Sequence, residues 1–590
     1  MLEHRSGKGR REWGDAGWLR IAAVAAIAAI ASLWFRSSHL VMSRSSAMQA
    51  AEYIFVICAS LTVFALFAGL SDHWRLHRFL EFPGLIFPCA ALLAGFVYRL
   101  GMHQFGGWDE GLLVHAGSYY AQGFKPYLDF PCSMPPLFMA GIRCGVKLLG
   151  LKWTSFTLIA AAFTALTTLW IFGMLRLAGV ARHWALLITV GAELSTMAVT
   201  PFWWFNTSSA VSVVLLFLSV VSCLQRPKLL LPWISLAISL AMVVASKPND
   251  LPAVLMVLAL LATRDRWQWA RTFSACAGAA GCFLLLCYAA QMPPLELLHS
   301  YEEIGKLRGS PFLMLPLREM AQPEREFQIL FILLTLLCFA AVLVVSARRR
   351  PRRWALVAVC AIAGLTSMEM ACTNSESKTS DLCVVLVAAA MLCLQPWETE
   401  QVSRHRKKAL AGLLSVFLVM AGFFSLIHLR TLMIGEGMFY EPLPTETIRS
   451  GFFAGLEAGP RLQRVLAQSG EVLSRFPSQK VFFGPRMEFE YAAFDKPVTA
   501  KMPLLWDPGN LYPRDRSLEL LLAFQHSDPD LVILLKDDFT RMELMGFYLK
   551  HSNTYQLDDD FSELTVYLRR REIAVNYVRL PGSAVVPATK

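Results

Sequence analysis

The sequence predicts an all-α membrane protein that crosses the bilayer about thirteen times and ends in a small α/β domain. Of the 590 residues, 55% are hydrophobic and only 17% are charged. Many apolar runs reach the roughly 20 residues that a helix needs to span a bilayer. The Lys and Arg residues lie in short clusters between these runs, as they do in the cytoplasmic loops of membrane proteins.

Hydropathy places a first span after a basic N-terminus, with no clear cleavage site, so this span is expected to be retained. All thirteen predicted spans lie near residues 17–35, 53–70, 82–100, 154–175, 184–200, 209–224, 229–246, 249–263, 271–290, 327–346, 354–372, 381–395 and 409–428.

The charge bias predicts a cytoplasmic N-terminus and an external C-terminus. With this orientation every inner loop is basic, for example the five arginines between residues 348 and 353. The outer loop at residues 101–153 instead contains the carboxylates Asp109, Glu110 and Asp129. The net charge of +11 is therefore explained by topology and does not indicate a nucleic-acid partner.

Three regions follow from this reading. Residues 1–79 hold the cytoplasmic N-terminal segment and two spans, and residues 80–428 form a transmembrane core with an external loop at 101–153. Residues 429–590 form the external α/β domain. Its predicted strands are Lys480–Gly484, Asp530–Leu535 and Glu563–Leu568, and its predicted helices are 515–526 and 539–550.

A polar insert, Gly107–Leu137, interrupts the apolar pattern and contains the adjacent carboxylates Asp109 and Glu110. The pair is expected at a turn where the third span meets water, and adjacent side chains cannot face the same way on a helix or strand. Different roles follow: one carboxylate takes a proton from an attacking hydroxyl, and the other orients the site or binds a cation. A solvated loop pair without chemistry is the competing interpretation.

This insert resembles the first external loop of polyprenyl-phosphate-dependent glycosyltransferases of the GT-C fold. That group includes protein O-mannosyltransferases, lipid A aminoarabinose transferases and rhizobial lipopolysaccharide galacturonosyltransferases. The matching features are the acidic pair, the stretch Gly123–Asp129, and Pro135–Leu137 opening a helix that lies on the membrane. The resemblance implies that Asp109 is the base and Glu110 orients the site. The chain departs from the family in its two extra N-terminal spans and in Ser133-Met134 before the diproline.

Three basic residues are candidates for binding the donor phosphate. Arg143 and Lys147 are four residues apart and share a face of the predicted interfacial helix. Lys247 ends the seventh span in a Lys-Pro turn similar to one in the family, where a cation would stabilise departing polyprenyl phosphate. Snorkelling at the interface and a hairpin cap are the ordinary alternatives.

Four residues are predicted to line the sugar cavity. Glu193 and Glu369 lie in the outer halves of apolar spans, where ionisable groups are costly and usually functional, although a carboxyl that packs helices together is the alternative. Tyr127 and Asp129 belong to the external loop. A divalent cation would fit the acidic pair but is not required by it, and no Cys/His spacing indicates zinc.

These observations predict an inverting glycosyltransferase that moves a sugar from a polyprenyl-phosphate donor to a lipid, glycan or protein acceptor. The resemblance implies a bacterial inner membrane and a cell-envelope acceptor such as lipopolysaccharide. The absence of a Gly-rich phosphate loop in the sequence argues against a nucleotide-driven pump. A lipid or glycan transporter or flippase remains one alternative, and a scaffold whose external tail is the functional part remains another.

Overall fold

A computed structural model of the chain describes most of residues 83–308 and much of the C-terminal part. The described residues are 83–247 without 104, 108, 198 and 199, then 254, 258, 266–308, 358, 359, 362, 363, 366, 438, 439, 445–499, 501–504, 517–536 and 543–570. Outside them lie Glu369 and the predicted spans near 17–35, 53–70, 327–346, 381–395 and 409–428. The predicted spans near 249–263 and 354–372 are described only at isolated residues.

Most of the described residues between 83 and 308 are helical. After a 3-10 turn at Pro83–Leu85, its helices are α1 (Ile86–Gly101), α2 (Asp109–Ala121), α3 (Pro136–Leu149), α4 (Trp153–Leu177), α5 (Arg182–Ser195), α6 (Phe205–Gln225), α7 (Leu231–Ser246), α8 (Arg266–Ala289) and α9 (Pro294–Arg308). Six of them, α1 and α4 to α8, coincide with predicted spans, while the total of thirteen remains a prediction.

Among the described helices, α4, α6 and most of α8 are long and apolar enough to cross a membrane, and α1, α5 and α7 are shorter apolar helices. Helix α6 is buried from Asn206 to Cys223. It packs against α4 and α7, while α7 also packs against α8 and α1 packs against α4. A helix that is apolar on every face suits this central position.

The C-terminal part is built from short strands and helices. Its strands are β1 (Glu446–Thr447), β2 (Glu457–Ala458), β3 (Val481–Phe483), β4 (Leu531–Leu535), β5 (Tyr555–Asp560) and β6 (Leu564–Arg569). Its helices are α10 (Pro460–Arg475), α11 (Glu490–Ala493), α12 (Ser517–Ser527) and α13 (Glu543–His551).

Four strands form a mixed sheet in the order β3-β4-β6-β5. Strand β3 is parallel to β4, and β6 is antiparallel to both β4 and β5. The three strands and two helices predicted for this part are confirmed. Helix α10 and strand β5 were not predicted. Strand β5 contains three consecutive aspartates and therefore lacks the apolar alternation that identifies a strand.

The C-terminal part packs against the ends of the helices that flank residues 101–153. Glu457 accepts a hydrogen bond from Arg99 at 2.5 Å and pairs with His103 at 2.7 Å. The amide of Glu457 donates to the carbonyl of Met102 at 3.0 Å, and the amide of Trp153 donates to Phe452 at 3.1 Å. The C-terminal part and the 101–153 region are therefore neighbours at one end of the helices.

Candidate functional site

The acidic pair opens a buried helix, which corrects the expectation of a turn. Asp109 and Glu110 are the first two residues of α2, and residues 110 to 120 of this helix are all buried. The sequence of α2 shows little periodicity because no side of the helix faces solvent, so the pattern of an amphipathic helix is absent. The segment predicted to be a polar loop therefore contains a buried helix.

The two carboxylates of the pair have different surroundings. Glu110 is 5% exposed, and its Oε1 accepts a hydrogen bond from the amide of Gly106 at 3.1 Å. Asp109 is partly exposed. Both carboxylates lie in the first turn of α2, and the N-terminal end of a helix favours negative charge. Glu110 thereby secures the turn before α2, while Asp109 keeps access to solvent, consistent with different roles.

Gly107 allows the chain to turn into α2. Its φ is +86°, and a Cβ atom there would lie 2.4 Å from Cδ2 of Phe439. Phe105, which precedes this turn, packs against Trp153 at the start of α4 and against Phe453 and Phe489, with ring centroids 5.0 to 5.1 Å apart. The N-terminus of α2 is therefore supported from both the helical and the C-terminal parts.

Helices α2 and α3 both contact the C-terminal end of α8. The hydroxyl of Tyr120 donates to the carbonyl of Ala290 at 2.6 Å. Arg143 on α3 donates through Nη1 to the carbonyl of Ala289 at 2.7 Å. Lys147, one turn further along α3, is exposed. Arg143 therefore has a structural contact as well as its charge, and Lys147 faces outward.

Lys247 lies at the same end of the helices. It follows the last residue of α7, donates its amide to the carbonyl of Val243 at 2.9 Å, and is 6% exposed. Met242 and Ala245, in the last turns of α7, belong to one apolar cluster with residues of α2 and α3. The structure thus brings Lys247, the acidic pair and Arg143 to neighbouring elements.

The predicted cavity residues have ordinary structural contacts. Asp129 accepts through Oδ2 from the amide of Lys125 at 2.7 Å, and Tyr127, at φ +68°, donates its amide to Phe130 at 2.9 Å, so both hold a tight turn. Glu193 is 1% exposed within α5 and accepts from the hydroxyl of Thr167 at 2.7 Å. A role for these three residues in sugar binding remains a prediction.

The chain after β3 supplies buried polar residues that were not assigned roles from the sequence. Arg486, Glu488 and Glu490 are 5%, 2% and 0% exposed, and Arg486 adopts φ +65°. The ring of Tyr491 stacks on His115 of α2 at 5.6 Å. These residues of the C-terminal part belong to the stretch Phe483–Phe494, which begins at the end of β3 with the turn Gly484-Pro485-Arg486. The structure places it against α2.

Burial controls the protonation of this cluster. Burial lowers the pKa of His115 to about 4, despite a hydrogen bond of its Nδ1 to the carbonyl of Leu504 at 3.0 Å. A carbonyl can only accept, so Nδ1 carries the proton of the neutral ring. Burial raises the pKa of Glu490 well above its usual range, against a hydrogen bond from Ser469. Burial therefore favours the uncharged form of both residues.

Within the described residues, no group of three or more His, Cys, Asp or Glu side chains is arranged to hold a metal ion. The divalent cation that the sequence would accommodate beside the acidic pair therefore stays an untested expectation. Burial also raises the pKa of Cys132 to about 12, so its thiol is protonated and is not a metal-binding thiolate at neutral pH.

Two solved structures are similar to the chain. They are crystal structures of ArnT from Cupriavidus metallidurans, one bound to undecaprenyl phosphate and one in the apo state. They have 14% and 13% identity and TM-scores of 0.45 and 0.46, and in each case 82% of this chain and 97% of the other chain are covered. No family model and no curated protein sequence matches the chain.

ArnT is a lipid A aminoarabinose transferase, one of the groups that the loop at residues 101–153 resembles in sequence.

Proposed function

We propose that the chain is an integral-membrane inverting glycosyltransferase that uses a polyprenyl-phosphate sugar as its donor. The observation that carries the proposal is the position of Asp109. It is a partly exposed carboxylate at the positive end of a buried, fixed helix, and cations on two neighbouring elements lie at the same end of the helices.

The proposed reaction follows from these positions. Asp109 accepts the proton of an acceptor hydroxyl as its oxygen attacks the anomeric carbon. The bond between that carbon and the phosphate oxygen breaks, and polyprenyl phosphate leaves with the electron pair. Because the nucleophile and the leaving group occupy opposite faces of the sugar, the anomeric configuration inverts. Glu110 acts by fixing the turn that holds Asp109.

The cations serve the leaving group in this proposal. Lys247 and Arg143 bind the donor phosphate and stabilise the negative charge that grows on it during bond cleavage. Lys147 lies on α3 beside Leu148, which is 76% exposed. An exposed cation next to an exposed apolar side chain suits the boundary between phosphate and hydrocarbon in a lipid-linked donor.

The location follows from the proposed topology. The C-terminal part and the acidic pair face the periplasm of a bacterial inner membrane, and the N-terminus is cytoplasmic. The positive-inside charge pattern and the contact of the C-terminal part with the 101–153 region support this orientation. The acceptor is a lipid, glycan or protein of the cell envelope, with lipopolysaccharide as the class that the resemblance suggests.

The test uses the purified full chain in lipid vesicles with a pool of radiolabelled polyprenyl-phosphate sugars. Release of polyprenyl phosphate is measured with each donor, and transbilayer scrambling of the same lipids is measured in parallel. Sugar-dependent release supports the transferase. Absence of release with every donor, together with lipid scrambling, would overturn it in favour of the flippase.

A further inference from the structure

One stretch of the C-terminal part lies along the C-terminal half of α2. The stretch comprises residues 496–499 and 501–504, here called the clamp segment. Gln122 donates to the carbonyl of Lys496 at 3.0 Å and accepts from the amide of Val498 at 2.9 Å. His115 bonds to the carbonyl of Leu504 at 3.0 Å. Because high residue numbers on one element meet low numbers on the other, the two run antiparallel.

The last turn of α2 is held by a buried tyrosine. The hydroxyl of Tyr119 donates to the carbonyl of Thr499 at 2.7 Å and lies 3.1 Å from the carbonyl of Met502. His115, Tyr119 and Gln122 are spaced four and three residues apart, so they form one stripe on a helix. A single face of α2 therefore carries all five of these contacts.

These side chains bond to the main chain of the clamp segment. Main-chain groups that are buried must be hydrogen-bonded, and leaving one unpaired costs about 1–3 kcal/mol. Val498, Thr499, Met502 and Leu504 are each less than a tenth exposed. The polar side chains of α2 thus satisfy a segment that belongs to no described strand, which fixes the two elements to each other.

We infer that the clamp segment holds α2 in the orientation required for transfer and that Tyr119 and Gln122 are positioning residues for Asp109. This inference rests on the proposed function of Asp109. Tyr119 is ten residues from Asp109, about 15 Å along the helix axis. A tilt of about 4° at Tyr119 therefore moves Asp109 by about 1 Å, a misplacement that can slow an enzyme about a hundredfold.

The inference is tested with the full chain carrying Tyr119→Phe and Gln122→Ala together. The phenylalanine keeps the aromatic stack on Phe130, whose ring centroid lies 4.1 Å from that of Tyr119, so the core beneath α2 is retained. The matched control is Tyr555→Phe, which removes a buried tyrosine hydroxyl from the carbonyl of Pro529 at 2.8 Å within the C-terminal part, with no contact to α2.

Two quantities are measured: the kinetics of polyprenyl phosphate release, and amide hydrogen exchange in peptides covering residues 110–122 and 496–504. In the double variant kcat falls at least about tenfold, KM for the donor stays within about twofold, and exchange rises in both peptides. The Tyr555→Phe variant retains wild-type kcat and wild-type exchange in these peptides. An unchanged KM for the donor shows that donor binding is intact, so a fall in kcat alone indicates that the base is displaced.

An unchanged kcat in the double variant would overturn the inference, whether or not exchange rises, and would leave the proposed function intact. An equal fall of kcat in Tyr555→Phe would also overturn it, because general loosening of the C-terminal part would then explain both results. A wild-type chain that turns over no donor would refute the proposed function, and this inference with it.

Discussion

Acidification is predicted to loosen the contact between α2 and the clamp segment through His115. The neutral ring is buried against Tyr119 and Tyr491, with centroids 4.6 and 5.6 Å away, and bonds to Leu504. Its pKa is about 4 in the folded chain, whereas an unfolded histidine has a pKa of about 6.5. The opened state therefore binds more protons at mildly acidic pH, and stability falls as the pH falls.

The magnitude follows from the two pKa values. Between about pH 7 and about pH 5, the open form becomes almost fully protonated while the closed form stays mostly neutral. Integrating the difference in bound protons gives about 1.8 kcal/mol, which is about a twentyfold rise in the opening equilibrium. The loss continues until the pH falls below about 4, where both states are protonated.

The assay is amide hydrogen exchange of peptides covering residues 110–122 and 496–504 at the two pH values, corrected for the intrinsic exchange rate with unfolded peptides. The matched variant is His115→Asn, whose amide offers an N–H near the position of Nδ1 but does not titrate. The wild type should lose about 1.8 kcal/mol more protection than the variant on acidification. Equal losses of protection in the wild type and His115→Asn would show that protonation of His115 does not loosen the contact.

Two further predictions, made with three substitutions, concern the packing around the site. Gly107 and Gly123 have nearly the same φ, +86° and +85°, but a Cβ at position 107 would lie 2.4 Å from Phe439, whereas nothing lies within 4 Å at position 123. We expect Gly123→Ala to lower the free energy of unfolding by about 1 kcal/mol and Gly107→Ala to lower it more, measured by thermal unfolding in detergent. Equal losses in the two variants would contradict the contact with Phe439. Glu490→Gln should gain stability relative to wild type as the pH rises above about 4.5, because the buried acid of the wild type resists ionisation. A pH-independent difference between the two proteins would count against that burial.

The apolar spans could be predicted from the sequence because their signal is local. Helices α4 and α6 are continuous apolar runs, and composition alone identifies such segments. Strand β4, LVILL, likewise shows its burial directly in its residues. In each case the environment of the segment is uniform, so no knowledge of its partners is needed.

Helix α2 could not be predicted in this way. Its acidic pair and its Gly and Tyr residues indicate a polar loop, and its burial depends on residues almost 400 positions later, such as Leu504 against His115. The proposed positioning roles of Tyr119 and Gln122 could not be predicted either, because they depend on contacts with the clamp segment. Local patterns identified the acidic pair as a candidate site, but only the tertiary contacts show what holds it.

The predicted donor contacts illustrate an intermediate case. Sequence spacing correctly placed Arg143 and Lys147 on one helix, α3. The same spacing gave no sign that Arg143 bonds to the carbonyl of Ala289 or that Lys247 is almost buried. Charge and periodicity therefore identify candidate residues. Whether a candidate side chain makes a structural contact depends on how distant elements pack around it.

In the proposed reaction, Asp109 removes the proton of the acceptor hydroxyl. The most direct measurement compares the rate of polyprenyl phosphate release by the wild type, Asp109→Asn and Asp495→Asn under saturating donor. Asp495 is an exposed aspartate at φ +50°, a conformation that asparagine also adopts. It precedes Lys496, which contacts the end of α2 opposite Asp109, so it repeats the chemical change away from the acidic pair. We expect a fall of about 10²- to 10⁴-fold for Asp109→Asn and none for Asp495→Asn. Release by Asp109→Asn at the wild-type rate would contradict this role of Asp109.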